Sequence, residues 1–557
     1  MARRKTRRSW GRRAFLKTAA GSALGASLTG LAVGKESAAQ EVGVEREVID
    51  GITTQRIVQG EPYDLAGKRM VFTNWYYVRP GDLDWINDQG ETVYVHGDEA
   101  PFAAHFVGVH APRGIRLMAQ KPEVVGPITI PHRGIMEDGG LLRGWTDNEY
   151  YESSDGYDWV KKASLTFDKE EITDGVACVF KDPSAPASER YKFVYVSEIG
   201  RERFEAFRRK RPDGFEARSL FLLGETDRVT AIRGAFSGDG LNWTALPDPL
   251  VCELADTQNI GYYDTVLRKY VIYTRFWSVG PRTDALPPDI RHCWSGVGRR
   301  AIGRTESDDF RSFPPSAMML EPTPDMLPSE VLYTNSRTTV PRAPDHHLMF
   351  PAVWNASVTD DTRVALLSSH DGKVWHWVPG GGKLRQTQPF GQWDGGCVWS
   401  GTNLVELPDA TWALPYYGHN VPHKYPRGQR GGGVGYMLWP KGRLVAVEAP
   451  EQGQFSTVAI MAPGRTLKIN AVTKRTGSVR VQVERWEWSR KEEKRPYPVQ
   501  LTPIPGRTFD DAVPIVGDHV WTTLTWKGGS DLGFSAGAPI TLSFSLDHAQ
   551  IFGLEFA

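Results

Sequence analysis

Cysteine is scarce in this chain, with four in 557 residues. Cys178, Cys252, Cys293 and Cys397 are far apart and form no Cys-x-x-Cys spacing, which excludes a zinc ribbon and a thioredoxin-like redox motif. They are expected as small apolar core residues rather than as two disulfides. Long apolar segments of 3.6-residue period are equally scarce, which argues against a helical bundle. Beyond the N-terminus no apolar run is long enough to span a bilayer. Net charge is also missing, since 66 basic side chains balance 66 acidic ones. Nine of the basic and one of the acidic residues lie in positions 1–39, so the remainder carries 57 against 65, a net of −8. An acidic balance lacks the electrostatic footprint of a nucleic-acid binder.

Aromatic residues and glycine are abundant: 19 Trp, 19 Tyr, 23 Phe and 57 Gly. That profile suggests a turn-rich, all-β protein of more than one domain. Residues 1–39 read as an export signal. Arg3, Arg4, Lys5, Arg7 and Arg8 precede Gly11-Arg12-Arg13-Ala14-Phe15-Leu16-Lys17, a twin-arginine pattern. A weakly apolar stretch, Ala19 to Val33, and the small-x-small segment Ser37-Ala38-Ala39 follow in the expected order. The implied location is periplasmic or extracellular.

A short pattern recurs four times. It reads Ser153-Ser154-Asp155-Gly156-Tyr157-Asp158-Trp159, Ser237-Gly238-Asp239-Gly240-Leu241-Asn242-Trp243, Ser307-Asp308-Asp309-Phe310-Arg311-Ser312-Phe313 and Ser369-His370-Asp371-Gly372-Lys373-Val374-Trp375. Ser and Asp side chains bond nearby backbone N–H groups, Gly permits positive φ, and the late aromatic packs between units. Such a repeated turn marks an array or a propeller, and its Asp residues are scaffold.

The expected architecture is all-β, a five-bladed β-propeller followed by a C-terminal antiparallel β-sandwich. Residues 40–125 form an N-terminal β region, 126–445 the propeller and 446–557 the sandwich. Innermost strands are expected at Gly134–Glu137, Val176–Phe180, Ile260–Tyr263, Leu348–Val353 and Cys397–Gly401. In the last domain Val479, Val481 and Val483 alternate with Arg480, Gln482 and Glu484, which predicts a sheet solvated on one face.

Loops leading into the innermost strands converge at one end of the channel. They carry His132, Asp174, Asp256 with Asn259, Glu330 with Tyr333, and Asp394 with Trp393. Several carboxylates around one small space suit glycosidic cleavage, where one protonates the leaving oxygen and another attacks or activates water. Asp256 and Asp394 lead the candidates, followed by Asp174 and Glu330, with His132 weaker. Asn259, Tyr333, Trp393 and His419 are expected to bind substrate. His423 and the pair His346-His347 are further loop histidines able to act as an acid or bind a metal. No cofactor is required, although an acidic channel also suits a calcium ion.

The boxes, the five-blade count and the C-terminal sandwich resemble the five-bladed glycosidase superfamily of glycoside hydrolase families 32, 43 and 117. The turns are also similar to the Asp boxes of sialidases. Trp85-Ile86-Asn87-Asp88-Gln89-Gly90 is similar to the Trp-Met-Asn-Asp-Pro-Asn-Gly motif of the fructosidase family, whose Asp is the nucleophile. That resemblance adds Asp88 as a weak candidate. Lys181-Asp182-Pro183 resembles the same family's Arg-Asp-Pro but falls in a turn, which favours a structural role. The implied activity is glycoside hydrolysis on an oligo- or polysaccharide. The alternatives are a non-catalytic glycan-binding propeller and a propeller polysaccharide lyase with His and Tyr as base and acid.

Overall fold

The computed structural model describes residues 62–65, 69–80, 112–146, 148–167, 178–278, 298–425, 429–488 and 499–557, together with the backbone of four short strands between 44 and 93. Contacts divide the chain into residues 1–58 and 59–557. In the first unit, Val44–Ile49 and Ile52–Ile57 form an antiparallel hairpin. Among the described residues no helix is long and apolar enough to cross a membrane.

The second unit contains the five-bladed propeller. Blade one is the four-stranded meander Gly134–Asp138, Leu141–Trp145, Glu149–Ser153 and Val160–Ser164. Blade two begins at Cys178–Lys181 and blade three at Ile260–Asp264. Blade five runs Cys397–Ser400, Trp412–His419 and Gly432–Trp439, and its outer strand is Glu123–Ile128. A strand from before blade one thus completes the last blade and latches the ring. Inner strands touch from blade to blade, and Val405–Glu406 of blade five meets Gly134–Asp138 of blade one.

Blade four departs from expectation. Leu348–Val353 is not an innermost strand. The first strand is Glu330–Leu332 continuing to Arg337–Val340, and Ala343–Met349 with Ala352–Asn355 returns beside it. Residues 333–336 interrupt the pairing and split the blade into two short sheets. Within it the Tyr333 N–H still donates to Ala352 O at 2.8 Å, and the Ala352 N–H turns to Thr334 Oγ1 at 3.2 Å. Blade two carries a further addition: the helices Arg201–Lys210 and Ala217–Thr226 are inserted between its second and third strands. Phe204 and Phe207 of the first helix are buried against Ile199, Val229 and Ala231.

The boxes hold the outer corners. In the second, Ser237 Oγ accepts from the backbone N–H of Gly240 at 2.9 Å, and Asp239 Oδ1 accepts from those of Leu241 and Asn242 at 2.8 and 2.9 Å. Gly240 sits at φ +79°, where an L side chain would be strained. Trp243 returns its indole N–H to Gly240 O at 3.2 Å. The first and fourth boxes repeat these bonds. Asp182 is a structural turn as well, buried and accepting from Ser184 and from Tyr270 Oη.

The C-terminal domain is built on the long strands Leu467–Trp488 and Ile540–Phe556, bent at register shifts. Tyr63–Asp64, Met70–Val71 and Arg116–Ala119, from before the propeller, add to the same sheet. Val479, Val481, Val483, Leu542, Phe544 and Leu546 form the core, as the alternation predicts. The other face is not solvated throughout. Gln482, Glu484 and Ser543 are buried, with Glu484 accepting from Gln482 Nε2 at 2.7 Å and Ser543 Oγ at 3.0 Å. Strand alternation reports polarity, and a satisfied polar network is buried here instead of wetted. Cys178, Cys252 and Cys397 are buried free thiols.

Candidate active site

The centre of the ring is sealed by polar cross-links. Gln258 of blade three donates to Ser400 O of blade five at 3.2 Å and accepts from the Ser336 backbone N–H and hydroxyl of blade four at 2.9 and 2.8 Å. Ser336 Oγ also lies 3.0 Å from Ser400 O, so its single proton is shared between the two acceptors. Asn259 belongs to this frame and not to a binding surface. It is fully buried, and its Nδ2 donates to Ala255 O and Thr257 O, each at 2.9 Å.

Above this plug lies a cavity of about 390 Å³. Arg133 reaches it from blade one, Asp256 and Thr257 from blade three, Tyr333 and Thr334 from blade four, and Trp399, Tyr417, His419, His423 and Arg430 from blade five. Trp399 and Tyr417 are stacked at an interplanar angle of 20° and make an aromatic wall. Flat aromatic surface of this kind suits the apolar face of a sugar ring.

Asp256 is 49 % exposed and is paired with Arg275 behind it. Arg275 and Arg300 sit on adjacent strands of blade three, on the same side of the sheet, as the registers Arg275↔Ile302 and Trp277↔Arg300 require. Arg300 lies 3.7 Å from the centroid of Tyr333, and its Nη2 donates to Thr257 Oγ1 at 3.2 Å and Tyr333 O at 3.4 Å. Burial, and for Arg275 the neighbouring Arg300, depress both guanidinium pKa values.

Tyr333 Oη and His423 Nε2 share a hydrogen bond of 3.0 Å. Burial and then the charges of Lys424, Arg430 and Arg300 push the His423 imidazole down to about 3. Burial and Arg430 push His419 down to about 4. Both rings are therefore neutral near pH 7.

The other candidates lie elsewhere. Asp394 does not line the cavity. It is 1 % exposed, paired with Arg385 and accepting from Tyr416 Oη at 3.0 Å. Gly418 makes that position accessible, because a Cβ there would lie 2.3 Å from Asp394 Cβ. Trp393 packs over Gly126, Gly433, Gly435 and Tyr416 inside blade five. Glu330 is buried in the first strand of blade four and paired with Arg363. Burial pushes its carboxyl up, but the Arg363 hydrogen bond and charge prevail and the net shift is downward. His132 is half-buried one layer back, its ring 6.2 Å from that of Tyr417. His346 and His347 are buried within the strand Ala343–Met349 and do not form a loop pair. Asp174 and Asp88 lie outside the described residues.

Among the described residues, Asp256 is thus the one carboxylate lining the cavity, and no group of three or more His, Cys, Asp or Glu is placed to hold a metal. Arg275 and Arg300 were not legible from loop reasoning because they lie inside one strand and at the start of the next. Arg275 within Tyr270-Val271-Ile272-Tyr273-Thr274-Arg275-Phe276-Trp277 is the available signal, a charge inside an otherwise buried strand.

No protein family and no curated protein matches this sequence. Solved structures similar to the chain include an N-acetylgalactosamine deacetylase from F. plautii in complex with blood group B trisaccharide, at 11% identity and TM-score 0.35 over 65% of this chain and 95% of that one. A thermostable family-43 glycoside hydrolase is 13% identical at TM-score 0.35, over 59% and 96% of the two chains. The Bombyx mori family-32 β-fructofuranosidase is 9% identical at TM-score 0.30, over 80% and 95%. These similarities are too low to say anything about the chemistry of this chain, which has to be read from its own cavity.

Proposed function

We propose that this protein is an exported enzyme that cleaves a glycosidic bond of a carbohydrate in the cavity above the channel plug. The observation that carries the reading is the meeting, in one cavity, of an aromatic wall, an exposed carboxylate and a hydrogen-bonded Tyr–His pair. Asp256, held by Arg275, is the carboxylate that acts at the sugar carbon, either adding to it or taking the proton of an attacking water. Tyr333 and His423 form the proton relay that serves the leaving oxygen. In hydrolysis the bond from the anomeric carbon to the leaving oxygen breaks, a water oxygen replaces it, and the leaving oxygen gains a proton. Export rests on the twin-arginine pattern of residues 1–39.

The hydrogen-bonded Tyr333–His423 pair also suits a second reading, β-elimination. There the neutral imidazole removes a proton beside an acidic sugar's carboxyl group, the glycosidic C–O bond breaks, the leaving oxygen takes the Tyr333 phenol proton, and a double bond remains in the product.

The test is incubation of the purified protein with a panel of plant, algal and animal glycans. New reducing ends are expected, and Asp256→Asn is expected to lower the rate by about 10²–10⁴-fold with no change in thermal midpoint. A product absorbing in the ultraviolet selects elimination over hydrolysis. Binding without cleavage across the panel would replace an enzyme by a glycan-binding protein.

A further inference from the structure

The cavity holds far more positive than negative charge. Arg133 and Arg430 line it, and Arg275 and Arg300 form its wall behind Asp256 and Tyr333, so four guanidiniums from three blades face one described carboxylate. Asp256 pairs with Arg275. Arg300, only 6 % exposed, donates to neutral oxygens alone, and Arg430 donates to the carbonyl of His423. Among the described residues neither has a carboxylate partner, and the Nε of each is buried without a hydrogen-bond partner. The two adjacent histidines are neutral and supply no counter-charge.

Taking a guanidinium out of water costs several kcal/mol unless an anion or a full set of hydrogen bonds compensates it. A site for a neutral sugar has no use for that cost, because hydroxyl groups are matched equally well by amides, hydroxyls and a single carboxylate. The planar guanidinium fork instead matches the two oxygens of a carboxylate or a sulfate. The Trp399–Tyr417 wall would hold the sugar ring beside the fork.

We propose that the sugar unit taken by this cavity bears an anionic substituent, a carboxylate or a sulfate ester, seated against Arg430. The proposal rests on the reading of the cavity as the site of glycan cleavage and adds the class of its substrate. Arg430 is the binding residue, Arg300 adds its charge from behind Tyr333, and Arg275 positions Asp256.

The test is titration calorimetry on the full chain with three tetrasaccharides: a galacturonate, a sulfated galactan and a neutral galactan. One of the two anionic probes is expected to bind at least about tenfold more tightly than the neutral one, and to weaken as salt rises. Which of them binds decides between carboxylate and sulfate. Arg430→Gln is expected to lower that affinity about tenfold or more. Arg300→Gln, which removes the buried charge behind Tyr333, serves as the second variant and is expected to weaken binding as well. The anionic substrate class is overturned if the neutral galactan binds as tightly as both charged probes, or if neither variant alters the charged probe. Cleavage of the neutral probe would then leave the proposed enzyme standing. Conversely, a charged probe bound through Arg430 and never cleaved would keep the anion site and remove the enzyme.

Discussion

The cavity wall and the interior of blade five both present an aspartate to an arginine, with opposite results. Asp394 and Arg385 are 1 % and 9 % exposed, and Arg385 and Tyr416 both donate to Asp394 Oδ2. Asp256 and Arg275 are 49 % and 4 % exposed, and the carboxylate faces a cavity. In the first pair the charges neutralise each other inside the fold. In the second the arginine is buried and the carboxylate is offered outward. The box turns extend the contrast, since Asp155, Asp239 and Asp371 spend their oxygens on local backbone N–H groups. An acidic residue in a propeller therefore says little until its partner and its exposure are known.

Substitution separates the two pairs most sharply. Asp256→Asn is expected to remove turnover and spare stability, as described above. Asp394→Ala is expected to do the reverse. It leaves Arg385 buried and uncompensated, which costs about 3–5 kcal/mol in urea denaturation, while activity per folded molecule is retained. Equal loss of stability in the two variants would erase the distinction.

A third measurement concerns Glu253, buried three residues before Asp256. Its carboxylate accepts from the Ser316 backbone N–H and hydroxyl, each at 2.8 Å. Burial first, and then the nearby Glu216, push it up from 4.5 to about 7. The folded state therefore holds this proton over a range where the unfolded state has lost it. Stability from this group is complete below about pH 4.5 and declines as pH rises to about 7, by about 3 kcal/mol. His419 and His423 act in the opposite direction. Their pKa values are depressed on folding, so stability is lost as pH falls below about 6.5. Glu253→Gln is expected to remove the decline and leave a slope that rises with pH. An unchanged pH profile would show that Glu253 is ionised in the fold.

The smallest expected effect is at the boxes. Asp239→Ala removes acceptors for two backbone N–H groups at an exposed turn and is expected to cost about 1 kcal/mol, with activity unchanged. A loss of activity at constant stability would move that corner into the functional surface.

The turns were legible in the sequence because their chemistry is local. Ser, Asp, Gly and Trp within seven residues satisfy one another, so the pattern and the structure coincide. Four of the five innermost strands were legible for a similar reason, as short apolar β-branched runs bounded by turns. Blade four was not, because a kinked hairpin and a straight strand place similar residues in similar order. The polar outer face of the C-terminal sheet was misread as wet because burial depends on what packs over it. Among site residues, Asp256, Tyr333 and His419 lie at the cavity, whereas Asp394, Glu330, Asn259 and Trp393 are absorbed into the scaffold.

By itself the amino-acid order determined a series of hairpin blades with locked corners, since hairpins and boxes depend on contacts within a few tens of residues. Only the tertiary structure decided where the charge gathers. Arg133, Arg300 and Arg430 stand far apart in the chain, and closure of the ring brings them to one cavity. Burial and mutual repulsion, which no linear pattern records, then hold the histidines between them neutral.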